Sequence, residues 1–254
     1  MKLHPPQPGS PIGFFDSGVG GLCVRDACVR LMPCESTIYL ADTVNCPYGG
    51  RPAAEVAGFA RCHVKRLAEM GVKLVVVACN TATAAAIDIL RSEWPALPIV
   101  GMEPAVKPAA AASRTGIIGV LATQGTFRGR LFRETCERHA AKTKVIPCVA
   151  DDFVKLVEKG DTSSKHAEAA VRRHVEPLLD AGADQLVLGC THFPHLKPLI
   201  EKVVDGRAVV VDSSDAVARQ VMRLLVSGNM CAPAGTIPSH RFIRAGEADS
   251  PQLG

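Results

Sequence analysis

Two short segments of the chain place a cysteine where a thiol could do chemistry. Ala78-Cys79-Asn80-Thr81 and Gly189-Cys190-Thr191-His192 each follow an apolar run, and each puts a small polar residue directly after the cysteine. If a helix opens there, its N-terminal dipole stabilises the thiolate and lowers the thiol pKa from its free value of about 8.5. One such cysteine alone reads as a small buried side chain. Two at matching positions suit a reaction that takes a hydrogen from one face of a carbon and returns one to the other, a thiolate abstracting and a thiol donating. A third segment, Phe14-Phe-Asp-Ser-Gly-Val-Gly-Gly21, runs from an apolar stretch into glycines. Free backbone N–H groups at the following helix start are expected to receive a carboxylate or phosphate there. The later glycine of the dinucleotide fingerprint is missing, and no P-loop occurs. Cys190, His192 and His195 also have Cys-x-His-x-x-His spacing, a metal reading without an evident fourth ligand.

These segments need strands before them and helices after them. Pro11–Phe15, Ser36–Ala41, Lys73–Ala78, Ile99–Gly101, Gly116–Leu121, Lys144–Ile146, Gln185–Leu188 and Ala208–Val211 read as buried strands, and His240–Ala245 as a possible last one. Ala53–Met70 and His166–Ala181 have the apolar period of amphipathic helices, with Gly71 and Gly182 where a C-cap belongs. Alternation of strand and helix predicts mainly parallel sheet covered by helices on both faces. The order of features repeats. Ile12-Gly-Phe-Phe-Asp-Ser17 matches Ile118-Gly-Val-Leu-Ala-Thr123 at an offset of 123 − 17 = 106. The two cysteine segments match at 190 − 79 = 111, and Pro98–Glu103 has a later counterpart in Val209–Asp212. Two related α/β halves follow, each ending a central strand on a cysteine. In such sheets ligands bind beyond the carboxyl ends of the strands, which is where both cysteines fall.

With 254 residues the chain can bury one large core or two smaller ones. Aromatic residues are only 4%, so Val, Leu, Ile and Ala must build those cores. The net charge of +4 is scattered rather than gathered with aromatics into a patch, which gives no reason to expect nucleic-acid binding. No apolar run reaches the roughly 20 residues of a membrane span. Met1–Ser10 has no apolar core of a secretory leader, so a soluble intracellular protein is expected. The ten cysteines are irregularly spaced without a Cys-x-x-Cys, which argues against a disulfide framework, a zinc knuckle or a thioredoxin-type site.

Asp16-Ser-Gly-Val-Gly-Gly21, Asp42-Thr-Val-Asn-Cys-Pro-Tyr-Gly49, Ala78-Cys-Asn-Thr81, Ala122-Thr123 and Gly189-Cys-Thr-His-Phe-Pro194 together resemble, in order, the motifs of the bacterial glutamate racemases. The resemblance runs from about Ile12 to the tail. It implies two flavodoxin-like α/β domains related by a pseudo-two-fold axis with the active site between them. The first would comprise residues 1–102 and 212–254, carrying Asp16, Tyr48 and Cys79, and the second residues 103–211, carrying Thr123, Cys190 and His192. It implies that Cys79 and Cys190 carry the protons, Cys79 serving the D-enantiomer and Cys190 the L-enantiomer, assisted by Asp16 and His192. Ser17, Asn80, Thr81, Thr123 and Thr191 would hold the α-carboxylate and amino group, and Pro47, Tyr48 and Gly49 would border the side-chain carboxylate. Glu158 aligns with a family acidic residue. Where the family often has a basic residue before Pro-Tyr-Gly, this chain has Val44-Asn45-Cys46, and Cys46 is read as inert. The resemblance implies no metal, nucleotide or pyridoxal phosphate. It also implies a cytoplasmic homodimer supplying D-glutamate to peptidoglycan, and for some members a contact with DNA gyrase. The alternatives are an aspartate or hydantoin racemase of the same superfamily, and a non-catalytic regulatory binding protein on this fold.

Overall fold

A computed structural model describes residues 6–246 of the chain. Part of the Met1–Ser10 segment and the last eight residues lie outside them. The strands are β1 Ile12–Asp16, β2 Thr37–Ala41, β3 Leu74–Val77, β4 Ile99–Gly101, β5 Ile117–Ala122, β6 Lys144–Val149, β7 Gln185–Leu188, β8 Val209–Asp212 and β9 His240–Arg244. The helices are α1 Leu22–Leu31, α2 Ala53–Glu69, α3 Asn80–Glu93, α4 Val106–Ala112, α5 Gln124–Arg128, α6 Arg130–His139, α7 Asp151–Glu158, α8 Lys165–Asp180, α9 Lys197–Val204 and α10 Ser214–Ser227.

The apolar runs become strands because they are buried on both faces, as parallel strands under helices must be. Every residue of β1, β2, β3 and β7 is buried. Gly71 and Gly182 end α2 and α8 at φ +76° and +87°, the left-handed conformation that costs glycine nothing. Ser164 opens α8 by accepting the Ala167 N–H at 3.1 Å. β1, β5 and β8 each run one residue past their patterns, and one strand runs three. β6 continues past Ile146 through Pro147 to Val149, since it lies at a sheet edge, where a residue without an N–H is tolerated.

All strand pairs are parallel and fall into two sheets, β4-β3-β1-β2-β9 and β6-β5-β7-β8. Read in reverse, the second is β8-β7-β5-β6, the same order as the first without its β9 edge. The register repeats too: Phe15 pairs with Val77 in one sheet and Leu121 with Leu188 in the other. Ala78 N–H donates to Phe15 O and Gly189 N–H to Leu121 O, both at 2.7 Å. The internal repeat of the sequence is therefore a repeat of topology, and it puts Cys79 and Cys190 two residues beyond the ends of β3 and β7.

The first sheet is packed on both faces, by α2 and α3 on one and by α1 and α10 on the other. The second rests on α7, α8 and α9 on one face, with α4 among the elements on the other. At about 1.5–3 kcal/mol for each large apolar side chain removed from water, Phe14, Phe15, Phe153 and Phe193, all wholly buried, anchor the strands and turns that carry the cysteines.

Candidate active site

Both cysteines line one small cavity with Ser17, Pro47, Tyr48, Gly49, Asn80, Thr81, Thr123, Val154, Thr191 and His192. Its volume is about 10 Å³, hardly one water molecule's worth. A larger depression of about 640 Å³, lined by Trp94, Pro98, Glu103 and Gln220 among others, contains neither cysteine.

Cys79 is the N-cap of α3, and its sulfur accepts the Ala82 N–H at 3.4 Å. Its thiol donates to Ser17 Oγ at 3.7 Å. Cys190 differs. No α-helix opens beside it; the chain makes a turn and then a 3₁₀ segment, Phe193–Leu196, before α9. Pro194 and Pro198 explain the delay, since prolines suit only a helix's first turn. The Cys190 sulfur lies 3.8 Å from Nδ1 of His192, and Nε2 of that ring is 2.5 Å from Glu158 Oε1. The carboxylate fixes the tautomer: Nε2–H faces Glu158, and Nδ1 is left to accept the thiol proton.

The expected lowering of the thiol pKa does not occur. Burial pushes Cys79 up to about 12, aided by the charge of Asp16 and only partly opposed by the Ala82 N–H. Burial also carries Cys190 well above its ordinary value. Desolvation of a sulfur anion in a closed cleft outweighs a helix end. Asp16 is itself raised by burial, against the pull of His192 and the Gly21 N–H. Glu158 is lowered: hydrogen bonds from His192 and the Val19 N–H outweigh its desolvation.

Two N–H groups of the Gly-rich loop are taken up by carboxylates of the protein itself. Gly21 N–H donates to Asp16 Oδ2 at 2.8 Å and Val19 N–H to Glu158 Oε1 at 3.0 Å. Its glycines permit close approach to the second half of the chain. A Cβ on Gly18 would lie 2.0 Å from Glu158 Oε1, and one on Gly20 2.6 Å from His192 Nδ1. Thr191 Oγ1 completes this contact at 3.4 Å from Asp16 Oδ1.

Tyr48 lines the cavity with its ring, since its hydroxyl donates to Asp42 Oδ2 at 2.5 Å. Asp42 is also held by Asn45 at 3.0 Å and His63 at 2.9 Å. Opposite-half threonines join it: Thr81 Oγ1 and Thr123 Oγ1 are 2.8 Å apart, with Thr126 Oγ1 3.0 Å further along. Asn80 Nδ2 is buried without a hydrogen-bond partner among the described residues, a donor left for something held in the cleft.

Every expected site residue except Asp16 thus lines the cavity, and Asp16 lies one layer behind. His195 is turned away to Gly20 O at 3.2 Å, so Cys190, His192 and His195 do not gather as metal ligands. Val154, Thr126 and His63 carried no signal; a buried histidine on the apolar face of α2 looks like core. Asp42 stood in a quoted motif without a role.

Residues 24–221 match the family described as Asp/Glu/hydantoin racemase. A glutamate racemase of Herpetosiphon aurantiacus is 45% identical over 237 residues, 93% of each chain. Among solved structures, a glutamate racemase isoform of Bacillus anthracis superposes with a TM-score of 0.86 at 32% identity, covering 95% of this chain and 90% of that one. The glutamate racemase of Francisella tularensis, solved in complex with D-glutamate, gives a TM-score of 0.82 at 28% identity, with 95% and 90% coverage.

Proposed function

The chain belongs to the Asp/Glu/hydantoin racemase family, and we propose that it is a glutamate racemase interconverting L- and D-glutamate through two opposed thiols. The observation that carries this reading is the placement of Cys79 and Cys190, equivalent positions of two equivalent sheets, on one cavity. The domains are then residues 1–102 with 212–254, and residues 103–211, with the cleft between them.

Substrate enters with Cα between the sulfurs. One thiolate takes the Cα hydrogen and the opposite thiol returns one to the other face, so the proton lost from the first face stays on the first sulfur. His192, held by Glu158, takes the Cys190 proton when L-glutamate is bound; Ser17 and Asp16 stand beside Cys79 for the D-enantiomer. The substrate ammonium, brought into the cleft with Asp16 one layer behind, supplies the positive charge that draws both thiols down toward useful pKa values. Ser17, Asn80, Thr81, Thr123 and Thr191 receive the α-carboxylate and amino group, and the Pro47–Gly49 segment borders the side-chain carboxylate. Because Asp42 holds the Tyr48 hydroxyl, backbone groups of that segment recognise the side-chain carboxylate.

No helix of the described residues is long and apolar enough to cross a membrane. The reading places the protein in the cytoplasm as a homodimer feeding peptidoglycan synthesis. Retention of both cysteines at the cavity speaks against a purely non-catalytic role.

Circular dichroism of purified protein with either glutamate enantiomer and no additive tests the assignment. Turnover is expected in both directions, and Cys79→Ala or Cys190→Ala should abolish both. In heavy water, early product should carry deuterium at Cα while recovered substrate stays protonated. Glutamate should exceed aspartate in kcat/KM by at least about a hundredfold, because the shorter acid leaves buried polar groups unpaired. Equal turnover of aspartate would return the chain to the wider racemase family without a substrate.

A further inference from the structure

Cys46 has no part in the reaction and does not line the cavity, yet it faces two residues that matter. The loop after β2 brings it, half-buried, to Glu158 at the end of α7 and to His192 after β7. One donor atom from each, the Cys46 sulfur, a Glu158 oxygen and a His192 nitrogen, lie within 4.8 Å of one another. Ligands of a tetrahedral zinc ion with bonds of about 2.0–2.3 Å stand roughly 3.3–3.7 Å apart. Side-chain rotation of about an ångström closes the longest of these separations and opens the 2.5 Å contact between His192 Nε2 and Glu158 Oε1 to the same range. The donor set of one sulfur, one nitrogen and one oxygen selects a borderline-soft ion; magnesium and calcium need shells of oxygens.

Sequence position gives the group its consequence. Cys46 belongs to the first half of the chain, and Glu158 and His192 to the second. A cavity of about 10 Å³ cannot receive an amino acid unless those halves separate. An ion bound across them opposes the separation. By taking Nε2 of His192 and the Glu158 carboxylate, it also replaces the contact that orients the imidazole toward Cys190.

We propose that Cys46, Glu158 and His192 form an inhibitory site for a thiophilic divalent cation of the zinc class, which clamps the loop after β2 to the second half and holds the reaction cleft shut. The inhibitory consequence rests on the racemase reading; binding itself does not.

Cobalt(II) added to chelator-stripped protein reports binding directly, through the near-ultraviolet charge-transfer band of a thiolate ligand. The parent protein should show that band, and Cys46→Ala should lose it. Micromolar zinc should inhibit glutamate turnover and a chelator should restore it. Cys46→Ala should keep the uninhibited rate and need at least about tenfold more zinc for the same inhibition, as expected when a metal site loses a partner. Cys46→Ser serves the same purpose should the alanine variant fold poorly. An unchanged cobalt band and zinc sensitivity in both variants would place the ion on Cys79 and Cys190 and overturn the proposal. So would absence of the band and of inhibition in the parent. Absence of glutamate turnover in metal-free parent protein would instead count against the racemase reading and leave the cobalt result standing.

Discussion

Burial sets Cys79 and Cys190 against the thiolate chemistry proposed for them. Cys79 is pushed up to about 12 and Cys190 well above its ordinary value, so each is protonated at neutral pH until a bound cation favours the anion. The thiolate fraction rises with pH, and kcat/KM for glutamate should climb from about pH 7 to about pH 9. A flat profile across that range would rule out thiolate formation as a barrier. On the racemase reading Glu158 acts through His192, which it touches at 2.5 Å, as a positioning residue. Glu158→Gln removes the charge that orients the ring, and kcat/KM should fall by about 10- to 100-fold. The fall must be equal in both directions, because the equilibrium constant of a racemisation is one. The α-deuterium isotope effect on kcat/KM separates this role from mere structure: on the two-thiol reading it should rise with L-glutamate, whose hydrogen would go to Cys190, and fall with D-glutamate, whose own abstraction step becomes less rate-limiting.

At the scale of elements, the loop between β1 and α1 is a contact surface between the halves. A methyl group on Gly20 would meet the His192 ring at 2.6 Å and its backbone nitrogen at 2.7 Å. Gly20→Ala should therefore lower activity by about a hundredfold or more while the protein still folds. Gly58, exposed inside α2 with nothing within 4 Å of its would-be Cβ, is the control. Gly58→Ala should leave activity unchanged and add roughly 0.5–1 kcal/mol of stability. The loop after β2 is held differently, by Asp42. Burial would raise this carboxylate, but hydrogen bonds from His63, Tyr48 and Asn45 prevail and lower it to about 2. A depressed carboxylate stabilises the fold above its unfolded pKa of about 3.9, and the contribution is lost as pH falls toward about 2. It is on the order of 2 kcal/mol. In urea titrations the stability gap between the parent and Asp42→Asn should be widest near pH 6 and narrow below pH about 4. A gap independent of pH would mean that the charge of Asp42 is not its source.

On the proposed reading the two halves of the molecule part to admit substrate. Cys79 and Cys190 are only 5% and 8% exposed, whereas Cys62 and Cys231 lie on the surface. A bulky thiol reagent should label Cys62 and Cys231 first. Cys79 and Cys190 should follow slowly, at a rate set by separation of the halves, and more slowly still with glutamate present. Labelling of Cys79 and Cys190 as fast as in unfolded chain would show that the cleft stands open.

The sequence by itself determined the elements and their repetition. Strand cores, the glycines ending α2 and α8, and the offsets of 106 and 111 residues that reappear as paired registers at Phe15–Val77 and Leu121–Leu188 were all legible. Each depends on local periodicity or on a backbone conformation set by one residue. Only the tertiary structure decided what the side chains at the strand ends meet. Glu158 receives the Val19 N–H from 139 residues away, and Asp16 the Thr191 hydroxyl from 175. It also decided that Tyr48 spends its hydroxyl on Asp42, and that the glycines of the first loop make room for the opposite half. Such contacts leave no periodic trace, because their partners are brought together only when two separately encoded sheets close on one another. The raised thiols have the same origin: a pKa is set by surroundings, and those surroundings come from both halves of the chain.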